Sequence, residues 1–119
     1  MSIENSPRLE GLVIGSVDPA RLAVWYRTAF APSAEVVDSV LTLSHGLLIF
    51  EQRDDVGDQA SEPGRIIINI QVDSLSELVA HLDQLDLEWV RPVEQIPVGE
   101  IATVKDLDGN LVNILELGE

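Results

Sequence analysis

The sequence predicts an α+β fold in which one structural unit, a strand, a helix and three further strands, is used twice. Three features carry that expectation. Gly11 to Val17 (GLVIGSV) is a short apolar run rich in β-branched residues, and it stops at Asp18-Pro19. Ile66 to Val72 (IIINIQV) is a second run of the same kind, and it stops at Asp73-Ser74. Near the end, two alternating segments flank Asp106-Leu107-Asp108-Gly109-Asn110, an Asp-Gly turn signal of the sort that closes a β-hairpin.

The elements follow in order. Asp18 suits an N-cap and Pro19 the first helical position, because the carboxylate accepts orphan amide protons and proline has none to lose. Leu22, Trp25, Tyr26, Ala29 and Phe30 then form one apolar stripe for packing on a sheet, with Trp25 and Tyr26 read as core anchors. After Ala31-Pro32-Ser33, the segments Glu35–Val40, Leu41–His45 and Leu47–Gln52 read as strands, with Gly46 breaking the last two. From Arg53 to Gly64 the chain is polar and aperiodic, a surface linker. The second run hands over to a helix through Ser74-x-x-Glu77, a capping box, with an apolar stripe at Leu75, Leu78, Val79, Leu82 and Leu85. Trp89–Ile96, Ile101–Lys105 and Leu111–Leu117 complete the second unit. A single domain over 1–119 is expected, with unit one at about 9–53, a linker at 54–64 and unit two at about 65–117.

Composition narrows the function classes. The 21 acidic residues outnumber 7 basic ones for a net charge of −14, a field that repels nucleic acid and anionic membranes. Cysteine is absent, which excludes disulfides and thiolate metal sites. Aromatics make up only 4% of the chain, so the core must be aliphatic. Met1 to Arg8 are polar and unlike a secretory signal, and no apolar run approaches the roughly 20 residues of a membrane span, so a cytoplasmic, soluble protein is expected.

With its units in place the chain resembles the vicinal oxygen chelate superfamily, which holds the glyoxalases, extradiol dioxygenases and bleomycin-resistance proteins. The resemblance rests on the repeated strand–helix–three-strand order, the Trp25-Tyr26 pair after the first strand, and the run Lys105 to Leu117 with its Asp-x-Asp-Gly-Asn turn. It is to the small glyoxalase-like, single-chain type. It implies curved mixed sheets around a cleft, helices outside, and a homodimer formed side by side or with exchanged units.

Metal-dependent members carry ligands on the first and last strands of each unit. By that resemblance the first-strand places fall at Gly11 (or Leu12) and Ile67 (or Ile66), none of which offers a lone pair. The last-strand places fall at Glu51 (or Phe50 or Gln52) and at Asn113. Imidazole is the usual donor for such metals, yet His45 reads as a partly exposed turn residue and His81 lies off the apolar stripe, facing solvent. No nucleophile elbow or glycine-rich phosphate loop is present. Glu51 would serve as a general base only if buried among Leu48, Ile49 and Phe50; an edge glutamate ordinarily faces water.

Alternation places Ile66, Ile68, Ile70 and Val72 toward the helix, and Ile67, Asn69 and Gln71 on the other face. Leu111, Asn113 and Leu115 alternate in the same way. The candidate cleft residues are Leu12, Ile14, Glu51, Ile67, Asn69, Gln71, Leu111 and Asn113. They compose an aliphatic pocket with a few amides, suited to a neutral or cationic small molecule without cofactor or metal. Alternatively, Asn69 and Gln71 satisfy each other or a buried water. Two other functions stand beside binding: a metal-dependent lyase, isomerase or dioxygenase using Glu51, Asn113 and His45, and an interaction module whose cleft is plugged by its own side chains.

Overall fold

The computed structural model describes residues 6–118; residues 1–5, within the polar start discussed above, and residue 119 lie outside the described residues. The first unit comprises β1 (Gly11–Ser16), α1 (Pro19–Phe30), β2 (Val36–Val37), β3 (Val40–Leu43) and β4 (Gly46–Gln52). The second comprises β5 (Ile68–Gln71), α2 (Leu75–Leu82), β6 (Glu88–Ile96), β7 (Gly99–Lys105) and β8 (Leu111–Leu117). Their sheets have orders β1-β4-β3-β2 and β5-β8-β7-β6, so the two units share one topology. In each the first strand pairs in parallel with the last, and the remaining pairs are antiparallel. This is an α+β fold of two βαβββ units.

Local chemistry explains the helix starts. Asp18 accepts the Arg21 N–H at 3.2 Å with Pro19 at the first helical position. Ser74 accepts the Glu77 N–H at 3.2 Å, and the Glu116 carboxylate, reaching over from β8, accepts the Leu75 N–H at 2.7 Å. A negative group beside the first amides of a helix is favoured by the helix dipole.

Several boundaries depart from expectation. The segment Glu35–Val40 is not one strand: Asp38 and Ser39, with φ of 52° and 65°, form a tight turn between β2 and β3. Positive φ at both central residues marks a primed hairpin turn, here built from Asp-Ser rather than the Asn-Gly that sequence reading looks for. Gly46 begins β4 instead of breaking it, and the turn falls on Ser44-His45. β5 starts at Ile68, so Ile66 and Ile67 end the linker, 73% and 37% exposed. α2 ends at Leu82, and Leu85 packs from the following turn. His81 does not face solvent: its Nε2–H donates to the Thr28 carbonyl of α1 at 2.7 Å, because α2 lies against α1 along that flank.

One buried cluster joins both units. It includes Ile14, Leu22, Tyr26, Leu41 and Phe50 from the first, with Ile70, Leu75, Leu82, Val112 and Ile114 from the second. Tyr26 is fully buried, and its hydroxyl reaches the β7–β8 turn at Asp106. The linker is fastened to that turn as well, by Gln59 Nε2 on the Leu107 carbonyl at 2.8 Å and the Ala60 N–H on the Asp108 carbonyl at 2.7 Å. No described helix is long and apolar enough to cross a membrane.

Each sheet turns one face to its helix and leaves the other outside the core cluster. In the first sheet the core face carries Leu12, Ile14, Leu41, Leu48 and Phe50. Its other face carries Val13, Ile49, Val40 and Val37, which are register partners in one row across all four strands. In the second sheet Ile68, Ile70, Val112 and Ile114 face the core, and Asn69, Leu111 and Asn113 face away.

Candidate binding pocket between the two units

The side chains that alternation sends away from the core of the second sheet form a polar row. Asn69 of β5 is the register partner of Asn113 on β8, which partners Thr103 on β7, which partners Arg91 on β6. Three of these are linked by hydrogen bonds. Thr103 Oγ1 donates to Asn113 Oδ1 at 2.7 Å, and Asn113 Nδ2 donates to Asn69 Oδ1 at 3.0 Å. The row ends at Arg91, whose Nε donates to Glu94 at 2.9 Å. Thr103 is buried, 5% exposed, while Asn69 is exposed.

Asn69 stands at the wall of a pocket of about 450 Å³ where the first unit meets the second. Leu12, Leu48 and Phe30 line it from the first unit, and Ile68, Asn69, Ile70 and Gln71 line it from β5. The exposed Glu10 and His45 also border it. Pockets of this volume, mostly apolar with a few polar groups on each side, suit small-molecule ligands.

The eight cleft candidates separate on this geometry. Leu12, Asn69 and Gln71 line the pocket. Asn113 supports Asn69 from behind. Ile14 points into the core at 9% exposure, because β1 turns Leu12, Ile14 and Ser16 toward α1 and leaves Gly11, Val13 and Gly15 on the outer face. Leu12 likewise belongs to the core side and meets the pocket from there. Ile67 precedes β5, and Leu111 lies two register positions from Asn113, and neither is in the pocket lining. Glu51 is not buried: its side chain is 48% exposed and receives Arg53 Nη1 at 2.8 Å. Arg53 also grips Asp55 through Nε and Nη2, at 2.8 and 2.7 Å, and holds that carboxyl below the usual carboxylate range. An exposed, ion-paired carboxylate lacks the desolvation that would tune it as a general base.

Phe30 and Leu48, which line the pocket, and Thr103, which anchors the amide row behind Asn69, escaped the sequence reading. Thr103 was accessible to it. With the hairpin turn at Asp106–Asn110, Lys105 meets Leu111, and counting back sets Thr103 opposite Asn113. Phe30 and Leu48 had no such signal, because their place depends on how two units, with no strand pairing between them among the described residues, come together.

The donor set does not fit a metal centre of the kind the resemblance implies. At Gly11 any Cβ would collide with the Leu47 carbonyl oxygen, so the backbone leaves no room for a ligand side chain there. Glu51 is engaged by Arg53, and Asn113 by Thr103 and Asn69. His45 borders the pocket while Glu51 and Asn113 are not among its lining, and among the described residues no three His, Asp or Glu side chains converge.

No protein-family model matches the chain, and no curated protein matches it in sequence. Solved structures match it in shape. A lactoylglutathione lyase from Agrobacterium tumefaciens is 14% identical with a TM-score of 0.72, over 94% of this chain and 95% of that one. A glyoxalase-related enzyme from Fulvimarina pelagi is 18% identical with a TM-score of 0.71, over 92% and 87%. A glyoxylase/bleomycin resistance protein/dioxygenase domain from Frankia sp. EAN1pec is 15% identical with a TM-score of 0.64, over 98% and 100%. The chain has the fold of the vicinal oxygen chelate superfamily.

Proposed function

We propose that this chain binds a neutral small molecule in the pocket between its two units, without a metal ion. The observation that carries the reading is the pocket itself: about 450 Å³, with aliphatic side chains from both units, Asn69 and Gln71 on the β5 side, and Glu10, Ser44 and His45 on the other. The misfit of the donor set at the ligand-bearing strands of the fold supports the metal-free part. Amide-proton shifts in an isotope-labelled sample, screened against apolar fragments, test it. Shifts should cluster at Leu12, Leu48, Asn69 and Gln71, and Gln71→Trp, which fills the pocket from an exposed position, should abolish them. Shifts scattered over the surface, or indifferent to that substitution, overturn the proposal.

We further propose that a second copy of the chain covers the outer face of the first sheet. The row Val13, Ile49, Val40 and Val37 crosses every strand there, with Val13 56% and Val37 58% exposed. Light scattering should give a dimer mass, and Val13→Glu with Val37→Glu should return a folded monomer. A monomeric parent protein overturns this part.

A further inference from the structure

The Thr103–Asn113–Asn69 ladder has a direction, and its direction selects the ligand. We propose that the pocket is specific for molecules presenting a hydrogen-bond acceptor, a neutral carbonyl on an apolar body, and that Asn69 is the residue that reads it. This rests on the binding function proposed above and deepens it.

The direction is fixed at the buried end. Thr103 is 5% exposed, and among the described residues its hydroxyl hydrogen has one acceptor, Asn113 Oδ1 at 2.7 Å. Reversing the ladder would make Thr103 Oγ1 an acceptor and leave that hydrogen without a partner inside the protein. An orphaned buried donor costs more than a carbonyl or hydroxyl oxygen with a spare lone pair. With Thr103 donating, Asn113 Oδ1 is used as acceptor and Asn113 Nδ2 becomes the donor to Asn69 Oδ1 at 3.0 Å. That in turn uses the Asn69 oxygen. What Asn69 retains is its Nδ2 group, which has no partner among the described residues, in the wall of the pocket. Each amide thus hands its polarity to the next, and a buried hydroxyl sets the character of an exposed group two strands away.

The surroundings fix the rest of the ligand. Leu12, Leu48, Phe30, Ile68 and Ile70 supply an apolar bed. Glu10 borders the pocket and the chain carries a net charge of −14, so an anionic acceptor such as a carboxylate is disfavoured against a neutral carbonyl.

Three compounds of one skeleton test this: 4-phenylcyclohexanone, phenylcyclohexane and 4-phenylcyclohexylammonium, titrated into the full chain and followed by pocket amide shifts. The ketone should bind at least about tenfold more tightly than the other two, a difference of about 1.4 kcal/mol. Asn69→Asp keeps the oxygen that Asn113 needs and replaces only the free donor end. It should erase the ketone preference and favour the ammonium. Thr103→Val, which removes the anchor but leaves Asn69, should bring ketone and hydrocarbon close to equal affinity. Equal binding of all three to the parent protein, or a ketone preference that survives Asn69→Asp, overturns the inference and leaves the binding function standing. Failure of all three to bind overturns both.

Discussion

The Tyr26 hydroxyl donates to Asp106 Oδ2 at 2.6 Å, linking the helix of the first unit to the final hairpin turn of the second across 80 positions of sequence. The same carboxylate builds that turn. Its Oδ1 accepts the N–H groups of Asp108 and Asn110 at 2.8 and 2.9 Å, and its Oδ2 also accepts Asn110 Nδ2 at 2.9 Å. Asp106 is 6% exposed, so four donors replace the water it has lost. Burial, followed by the charge of Asp106, pushes the Tyr26 phenol far above its ordinary range and keeps it a donor.

Tyr26→Phe isolates that bond. The ring keeps its neighbours, with Trp25 at 4.9 Å and Phe50 at 5.5 Å between centroids, and only the hydroxyl is lost. A hydrogen bond to a buried charged group contributes roughly 1.5–3 kcal/mol. Urea denaturation should therefore show a lower midpoint at unchanged slope. A midpoint equal to that of the parent protein would mean the unit junction does not depend on this contact.

Asp108, beside the same turn, should make stability depend on pH in the less usual direction. Burial raises its carboxyl pKa above the ordinary 3.8; the Ser16 hydroxyl pulls it back in part, and Asp106 pushes it further up. Its Oδ2 is a buried acceptor with no partner among the described residues. A raised folded-state pKa means that the ionised form is disfavoured on folding. The cost is therefore present above the raised value and is relieved as pH falls through it toward 3.8. Asp108→Asn should raise stability at neutral pH, and the gain over the parent should vanish below the ordinary carboxyl range. A gain independent of pH would assign the effect to packing.

Gly109 sits in the same turn with a left-handed backbone. Its φ is +82°, and a Cβ there would meet Gln59 Oε1 at 2.7 Å, the side chain that pins the linker to the turn. The left-handed region costs a non-glycine residue roughly 1–2 kcal/mol. Gly109→Ala should lower the melting temperature by several degrees and speed hydrogen exchange at Ala60, whose N–H bonds to Asp108. Unchanged exchange at Ala60 would show that the linker is held without the turn.

How much of this was legible in the sequence depended on the range over which each signal acts. The helix starts at Asp18-Pro19 and Ser74 and the hairpin at Asp106–Asn110 were readable, because caps and turns are set by residues within a few positions of one another. The Asn69 and Asn113 faces followed from alternation, since period two fixes a face once a strand is placed. Leu12 and Ile14 share the core face of β1, and which of them reaches the pocket depends on how the two units meet rather than on alternation. The Asp38-Ser39 turn was missed because its backbone is unusual for its residues. His81 was missed because only the docking of α2 on α1, a contact between units, gives it the Thr28 carbonyl. The pocket has the same origin, since its walls come from edges that no local pattern brings together.

The metal-free reading makes a prediction that does not depend on finding the ligand. A species that binds only the native state stabilises it by RT ln(1 + [L]/Kd), about 2.7 kcal/mol at a hundredfold excess over Kd. For a chain of 119 residues that is a rise of several degrees. Gly11 has no room for a ligand side chain, Glu51 is held by Arg53, and Asn113 is committed to Thr103 and Asn69. Chelator-treated protein given nickel, zinc, manganese or iron(II) should therefore melt within about a degree of the untreated sample. A rise of several degrees with one metal and not the others would mean that these side chains rearrange around it. Glu51→Ala and His45→Ala would then locate the ligands by abolishing the rise.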